Sequence, residues 1–147
     1  MKISTKGRYG LRVMIELAAK YGRGPVLVDT IAKNQEISAK YIHVLMSGLK
    51  SGGFIRSVRG PSGGYELSRP PAEITALEVV RALEGDLAPV DCVANSSSCS
   101  RVAGCATRDL WCEMGAAVEG VLGRYTLADL ARRQAEKTAS QGPAYAI

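Results

Sequence analysis

The chain has 147 residues, of which 46% are hydrophobic and 22% are charged, so it can bury a core and is not disordered by composition. It contains no apolar run long enough to span a bilayer and no signal peptide at its N-terminus, so we expect a cytoplasmic protein without membrane association. The net charge is uneven: residues 1–70 carry 12 Lys and Arg against 4 Asp and Glu, whereas residues 71–147 carry 7 against 10. The basic half is therefore the candidate for binding a polyanion such as nucleic acid.

The first half of the chain predicts three helices. The first begins at Ser4 or Thr5, and its apolar residues follow the helical repeat at Leu11, Met14, Ile15, Ala18 and Tyr21. A second, shorter helix is predicted over 28–33, and a third follows Ser38 as N-cap and runs to Lys50. Two such helices joined by a short turn are typical of a helix-turn-helix, here approximately Val28 to Ser51, whose second helix enters the major groove of DNA.

The next stretch predicts a β-hairpin. Two β-prone runs, residues 54–59 and 65–68, flank a tip of Gly60, Pro61, Ser62, Gly63 and Gly64. Arg59 stands at the base of this tip, where a wing could place a cation in the minor groove. The tip could equally be a plain flexible turn on a packed stem.

Helical patterns return after Pro70-Pro71. A capping box at residues 75–78 begins a helix with Leu77, Val80 and Leu83 facing inward, and Gly85 ends it. A long helix is predicted beyond residue 105 from the apolar residues Leu110, Trp111, Met114, Ala117, Val118, Val121 and Leu122. This stripe is more apolar than a small domain needs, so we expect a homodimer interface, with packing onto the chain's own domain as the alternative. A second capping box at residues 126–129 begins a last short helix, and a frayed tail is expected from about Lys137.

All four cysteines, Cys92, Cys99, Cys105 and Cys112, lie at spacings C-x6-C-x5-C-x6-C. The first three fall in or beside residues 86–104, which have no hydrophobic period, and clustered thiolates there indicate a bound metal or metal cluster. Structural zinc is disfavoured because short C-x2–4-C pairs are absent. Cys112 lies about 10 Å along a helix from Cys105, so a small buried apolar residue is favoured over a fourth ligand.

Three segments together resemble the IscR-type family of bacterial transcription regulators: residues 2–10, the wing residues 58–65, and the cysteines followed by residues 108–111. The resemblance implies a mainly α fold with a small β-hairpin wing, in which a winged helix-turn-helix domain is followed by a long C-terminal dimerisation helix. It also implies an iron-sulfur cluster, 2Fe-2S or 4Fe-4S, ligated by Cys92, Cys99 and Cys105. Arg108 occupies the position of a histidine ligand in IscR and cannot ligate iron, so the fourth ligand is open.

By the same resemblance, one set of residues contacts the promoter or operator in double-stranded DNA: Ser38, Lys40, Tyr41, His43 and Val44 on the recognition helix, and Arg59, Gly60, Gly63 and Gly64 in the wing. The expected organisation is a DNA-binding domain over 1–85, a cysteine-bearing loop over 86–104, a dimerisation helix and short C-terminal helix over 105–136, and a flexible tail over 137–147.

Three functions are compared. The first is a DNA-binding transcription regulator controlled by a labile cluster. The second is a regulator of the same fold that senses through cysteine thiols or through a protein or metabolite partner. The third, a small iron-sulfur electron carrier, lacks the tight C-x2-C-x2-C spacing of such carriers. An enzyme is not expected, because the chain has one histidine, His43, and no nucleophile-base set.

Overall fold

The computed structural model describes residues 1–142, which form seven α-helices and one two-stranded antiparallel sheet. The helices are α1 (Thr5–Ala19), α2 (Val28–Gln35), α3 (Ala39–Ser51), α4 (Ala76–Glu84), α5 (Asp91–Ala94), α6 (Ala106–Arg124) and α7 (Leu127–Gln141). The strands are β1 (Ile55–Val58) and β2 (Gly64–Leu67). Three short 3-10 turns lie at Pro71–Glu73, Ser96–Ser98 and Val102–Gly104. The expected fold class, mainly helical with a hairpin, is confirmed.

Helix α1 lies at the centre of the fold, against α2, α3, α4 and α7. It starts at Ser4, whose hydroxyl accepts a hydrogen bond from the Gly7 amide at 3.2 Å. Its fully buried side chains include Val13 and Leu17, which the single predicted stripe omitted. Tyr21, which that stripe included, lies beyond the last helical residue and is 44% exposed. A helix enclosed by its neighbours buries more than one face, so a prediction based on a single apolar face misses some of its buried residues.

The helix-turn-helix forms as predicted, with α2 extending two residues past the expected Lys33 to Gln35. Glu36 takes a left-handed conformation at φ 56°, and the buried Ile37 follows it. The chain then enters α3 at Ser38, whose hydroxyl accepts from the Tyr41 amide at 3.2 Å. The apolar face of α3 is buried as expected, at Ile42, Leu45, Met46 and Leu49.

The hairpin pairs β1 with β2 in a register that sets Ile55 opposite Leu67 and Val58 opposite Gly64. Val26, just before α2, adds a further bridge, because its amide donates to the Tyr65 carbonyl at 2.8 Å and its carbonyl accepts from the Tyr65 amide at 2.9 Å. This bridge ties the base of the hairpin to the helix-turn-helix.

The C-terminal half contains more regular structure than the sequence predicted. The segment 86–104, expected to lack regular structure, contains α5 and two 3-10 turns. Helix α7 packs on α1 and continues through Gln141. The prediction of a short helix followed by a frayed tail from Lys137 was therefore wrong for residues 137–141. The rest of the predicted flexible tail, residues 143–147, lies outside the described residues.

Helix α6 packs on α4 and α5, and Gly115 is its one fully buried residue. Leu110, Met114 and Val121 are exposed by 55%, 37% and 46%. None of the described helices is both long enough and apolar enough to span a membrane.

Candidate nucleic-acid interface and cysteine loop

One face of α3 is open to solvent near its N-terminus. Lys40, His43 and Val44 are exposed, with Val44 at 51%, whereas Tyr41 is half-buried. Ser38 is exposed and its oxygen accepts the capping bond from Tyr41, so its hydroxyl proton is still able to donate. Cations, hydroxyls and an apolar group presented on one helix are the groups that read base edges and phosphates.

The tip of the hairpin is shaped by glycines. Gly60 has φ 110°, a region that side-chain-bearing residues rarely adopt, and its carbonyl accepts from the Gly63 amide at 3.0 Å. A Cβ at Gly63 would lie 2.3 Å from the Val58 carbonyl oxygen, and one at Gly64 would lie 2.2 Å from that of Val26. The tip is therefore a defined turn, and it leaves the Arg59 side chain exposed.

A side-chain bond joins α3 to the hairpin. The Lys50 ammonium, at the end of α3, donates to the Ser57 hydroxyl on β1 at 3.2 Å. This bond could not be predicted from the sequence, because a contact between two exposed polar side chains leaves no periodic pattern. The Phe54 amide, just before β1, also donates to the Leu49 carbonyl at 3.1 Å, so a backbone bond joins the end of α3 to the hairpin at the same place.

Two arginines of α1 border the start of α3, and sequence reasoning missed both. The guanidinium carbons of Arg8 and Arg12 lie 5.7 and 5.2 Å from the centre of the Tyr9 ring. Tyr9 meets Tyr41 of α3 edge to face at 6.1 Å. The i, i+4 spacing of the arginines around Tyr9 was the available signal. They extend the positive surface from α3 onto α1, where it suits phosphate contacts.

Glu16 is a buried carboxylate between α1 and α2, 8% exposed. It accepts from the side-chain amides of Asn34 and Gln35, each at 2.7 Å, and from the Lys20 ammonium at 3.3 Å. Sequence reasoning missed it, because its amide partners lie on another helix. The bonds fix α2, and through the following turn α3, relative to α1.

The structure does not gather the predicted cluster ligands. Cys92 lies half-buried in α5, Cys99 is exposed, and Cys105 is half-buried at the N-cap of α6. All four cysteines are free thiols. Among residues 1–142, no three His, Cys, Asp or Glu side chains stand close enough to share a metal ion.

The Cys105 thiol lies in an environment that favours its thiolate. A hydrogen bond with the Thr107 hydroxyl at 3.2 Å lowers the pKa of Cys105, and the Arg108 amide lowers it further. The Arg108 guanidinium donates to the Cys92 carbonyl at 3.1 Å. The first turn of α6 thus holds α5 in place, and a thiolate is the form that ligates iron and reacts with oxidants.

Cys112 is half-buried and lines a groove of about 340 Å³ between α6, α5 and residues 86–88. Its neighbours there include Val93, Gly115 and Ala116. Asp86 and Glu119 line the same groove, so the Cys112 thiol lies among both apolar and acidic residues.

Comparison with known proteins gives the family. Residues 3–133 match the Rrf2 family, described as iron-dependent transcriptional regulators. The transcriptional regulator CymR of Bacillus subtilis is 44% identical over 131 residues, which are 89% of this chain and 90% of CymR. Its solved structure, described as that of the global cysteine regulator, superposes with a TM-score of 0.78 over 90% of this chain and 98% of CymR.

Regulators named IscR are also similar. The IscR of Serratia proteamaculans is 34% identical over 91% of this chain and 81% of its own length. The structure of T. potens IscR, 36% identical, superposes with a TM-score of 0.75 over 91% of this chain and 88% of its own. The expected resemblance to IscR-type regulators is confirmed, and these relatives are regulators, not enzymes. The chain belongs to the Rrf2 family and is a DNA-binding transcription regulator.

Proposed function

We propose that this regulator reads double-stranded operator DNA with α3 in the major groove and the wing in the minor groove. The observation that carries this is the open face of α3 beside the wing, to which it is joined by the bond from the Phe54 amide to the Leu49 carbonyl and by the bond from Lys50 to Ser57. On α3 the contacts are assigned to Ser38, Lys40, Tyr41, His43 and Val44. In the wing, Arg59 makes the contact, while Gly60, Gly63 and Gly64 let the backbone approach DNA closely.

The proposed DNA-binding unit is a homodimer formed through α6. Leu110, Met114 and Val121 form an exposed apolar row on a helix that otherwise touches only α4 and α5 closely. A second copy of the chain would cover this row with its own row, since a two-fold interface uses the same surface on both subunits. The two-fold symmetry of the dimer would match a palindromic operator. The expected location of the protein is the cytoplasm.

We infer that Cys92, Cys99 and Cys105 hold an iron-sulfur cluster. The donor set fits by type, with three free thiols on one segment, and the lowered pKa of Cys105 favours the thiolate that iron needs. The family description as iron-dependent supports the same assignment. By position the three thiols are not gathered, so ligation requires residues 92–105 to rearrange and bring them together. When bound, the cluster would connect the three cysteines. This connection would form only when iron is available and would be lost when oxidants destroy the cluster.

This movement is the proposed source of control. Residues 86–104 have few buried side chains, so their arrangement can respond to ligation without unfolding the core. The loop follows α4 directly, and α4 packs on both α1 and α3. An ordered or released loop would therefore bias the helices that read DNA.

A second candidate is control by cysteine oxidation or by a partner, without a cluster. The specific observation in its favour is the lowered pKa of Cys105 at a thiol that is only half-buried. The similarity to CymR, described as the global cysteine regulator, gives it further support.

The test is to purify the full chain without oxygen, measure iron and acid-labile sulfide per monomer, and compare operator affinity before and after cluster removal. Cys92→Ser, Cys99→Ser and Cys105→Ser should each lose iron and sulfide, whereas the matched control Cys112→Ala should keep both and the absorption spectrum. Metal-free protein that binds DNA only while its thiols are reduced would support the second candidate instead. Equal affinities of the loaded and cluster-free forms would remove cluster control.

A further inference from the structure

The last turn of α4, Leu83 and Glu84, lies between the DNA-reading helices and the cysteine loop. Gly85 follows at φ 85° and begins the connection to that loop. Leu87, the second residue of the cysteine loop, is only 8% exposed, so the start of the loop packs against the rest of the protein. A displacement of the cysteine loop would reach α4 through the chain at this turn, and also through α6, whose Glu119 pairs with Arg81 of α4 at 2.6 Å.

Leu83 packs against a glycine of α1 and a glycine of α3. A Cβ at Gly10 of α1 would lie 2.1 Å from Leu83 Cδ1, and a Cβ at Gly48 of α3 would lie 3.3 Å from Leu83 Cδ2. The first methyl group therefore occupies space at Gly10 that a Cβ would fill, and the second packs closely against Gly48. Because Leu83 is 7% exposed and close-packed, it cannot shift without moving α1 or α3.

Glu84 holds the start of α1. Its Oε1 accepts from the Ser4 amide at 2.9 Å and from the Ser4 hydroxyl. A Cβ at Gly7 would lie 2.2 Å from the same oxygen. The carboxylate thus sits over the first turn of α1, where the positive end of the helix dipole favours it. Ser4 caps α1, so Glu84 positions the helix that carries Arg8 and Arg12.

We propose that Leu83 and Glu84 are positioning residues that transmit the arrangement of the cysteine loop to α1 and to the recognition helix α3. The inference rests on the proposed control of DNA binding by the cluster. Leu83 sets the spacing of α1 and α3, and Glu84 fixes the N-terminus of α1 to the segment that leads to Cys92. Neither residue touches DNA or the cluster in this scheme.

The test compares wild type with Glu84→Ala and Glu84→Gln, each as full-length protein in cluster-loaded and cluster-free forms. Glu136→Ala, which removes the same charge from an exposed site on α7, is the matched control. Three quantities are measured: iron and sulfide per monomer, affinity for a duplex selected from a random pool, and hydrogen exchange of the amides at residues 5–10. Iron and sulfide report whether the cluster site itself is intact.

Glu84→Ala should load its cluster normally, but the ratio of the two DNA affinities should fall by about three- to tenfold, the usual size of a coupling carried by one contact. Amide exchange in the first turn of α1 should rise and no longer differ between the two forms. Glu84→Gln can still accept both bonds from Ser4, so it should fold and give a smaller loss of coupling.

An unchanged affinity ratio in both Glu84 variants, with wild-type iron content, would overturn the proposal while leaving cluster control intact. Equal affinities of the two wild-type forms would overturn cluster control itself, and the transmission with it. The wild-type measurement therefore separates the two failures.

Discussion

Arg59 extends from the tip of the wing, and its side chain is exposed. A guanidinium inserted into the minor groove gains most where the groove is narrow, as in A/T-rich tracts, because the negative potential there is strongest. Arg59→Ala should therefore weaken binding by about tenfold at operators with an A/T-rich tract under the wing, and less elsewhere. Competition binding with duplexes that differ only in that tract measures this.

Lys137→Ala removes the same charge from an exposed position on α7 and should leave binding nearly unchanged. Uniform weakening of Arg59→Ala across all duplexes would reduce Arg59 to a phosphate contact.

Residues with a local signal were predictable, and residues with distant partners were not. Ser38 and the buried face of α3 followed from a capping residue and a 3.6-residue repeat. Glu84 gave no signal, because its partner Ser4 is 80 residues away in the chain. Val79 of α4 is fully buried although the stripe on Leu77, Val80 and Leu83 omitted it, because α4 is enclosed by α1, α3 and α6. Spacing could show that Cys92, Cys99 and Cys105 share a segment but not where the segment places each thiol.

At the scale of the helices, α4 and α7 begin with capping boxes of the same design. Thr126 accepts from the Asp129 amide at 3.1 Å, and Asp129 accepts from the Thr126 amide at 3.0 Å. Thr126→Ala removes the hydroxyl and should lower the free energy of unfolding by about 1 kcal/mol. Chemical denaturation measures this. Thr138→Ala, at an exposed position within α7, should change stability by less than about 0.5 kcal/mol. Equal losses in the two variants would contradict a capping role.

The same boxes predict a dependence of stability on pH. The Thr75 amide lowers the pKa of Glu78, and the Thr126 amide lowers that of Asp129. Both carboxyls have a lower pKa in the folded than in the unfolded chain, so their stabilisation is present above the unfolded values near 4 and is lost as pH falls through the folded values. Denaturation curves between about pH 6 and 3 should show this loss.

Asp129→Asn keeps an acceptor but cannot titrate. Its free energy of unfolding should be lower than that of wild type near pH 7 and should fall less as the solution is acidified. Glu136→Gln, on the same helix but away from the box, should follow the wild-type curve. An Asp129→Asn curve parallel to that of wild type would show that this carboxyl contributes nothing to acid unfolding.

At the scale of the whole molecule, the exposed row on α6 predicts a dimer. Val121→Glu places a charge in this apolar row, where dimerisation would bury it without a partner, so the variant should sediment as a monomer. Its thermal stability as a monomer should be little changed, because Val121 is 46% exposed in the single chain. Sedimentation at several concentrations measures the association. The control Ala135→Glu, on the exposed face of α7, should sediment as wild type does.

The uneven charge predicts a strong salt effect. If the basic residues of the first half meet six or more phosphates per dimer, affinity should fall by roughly 10³-fold between 50 and 200 mM salt. A plot of log affinity against log salt gives the number of contacts. A flat plot would contradict a DNA surface in residues 1–70.

The chain leaves the body formed by α1 to α4 and the hairpin after α4, and it returns to that body at the start of α7. The return point is fixed by a backbone bridge, in which the Ala76 amide donates to the Tyr125 carbonyl and the Leu127 amide donates to the Ile74 carbonyl, each at 2.8 Å. Residues 85–125 are thus an excursion with both ends anchored on one helix. Because the entropy of closing such an excursion rises only slowly with its length, its exposed loops can be lengthened or shortened at little cost, provided that α6 keeps its packing on α4. If this segment carries the sensor, we expect the fold to acquire new signals through changes in its loops while the proposed DNA-binding helices stay the same.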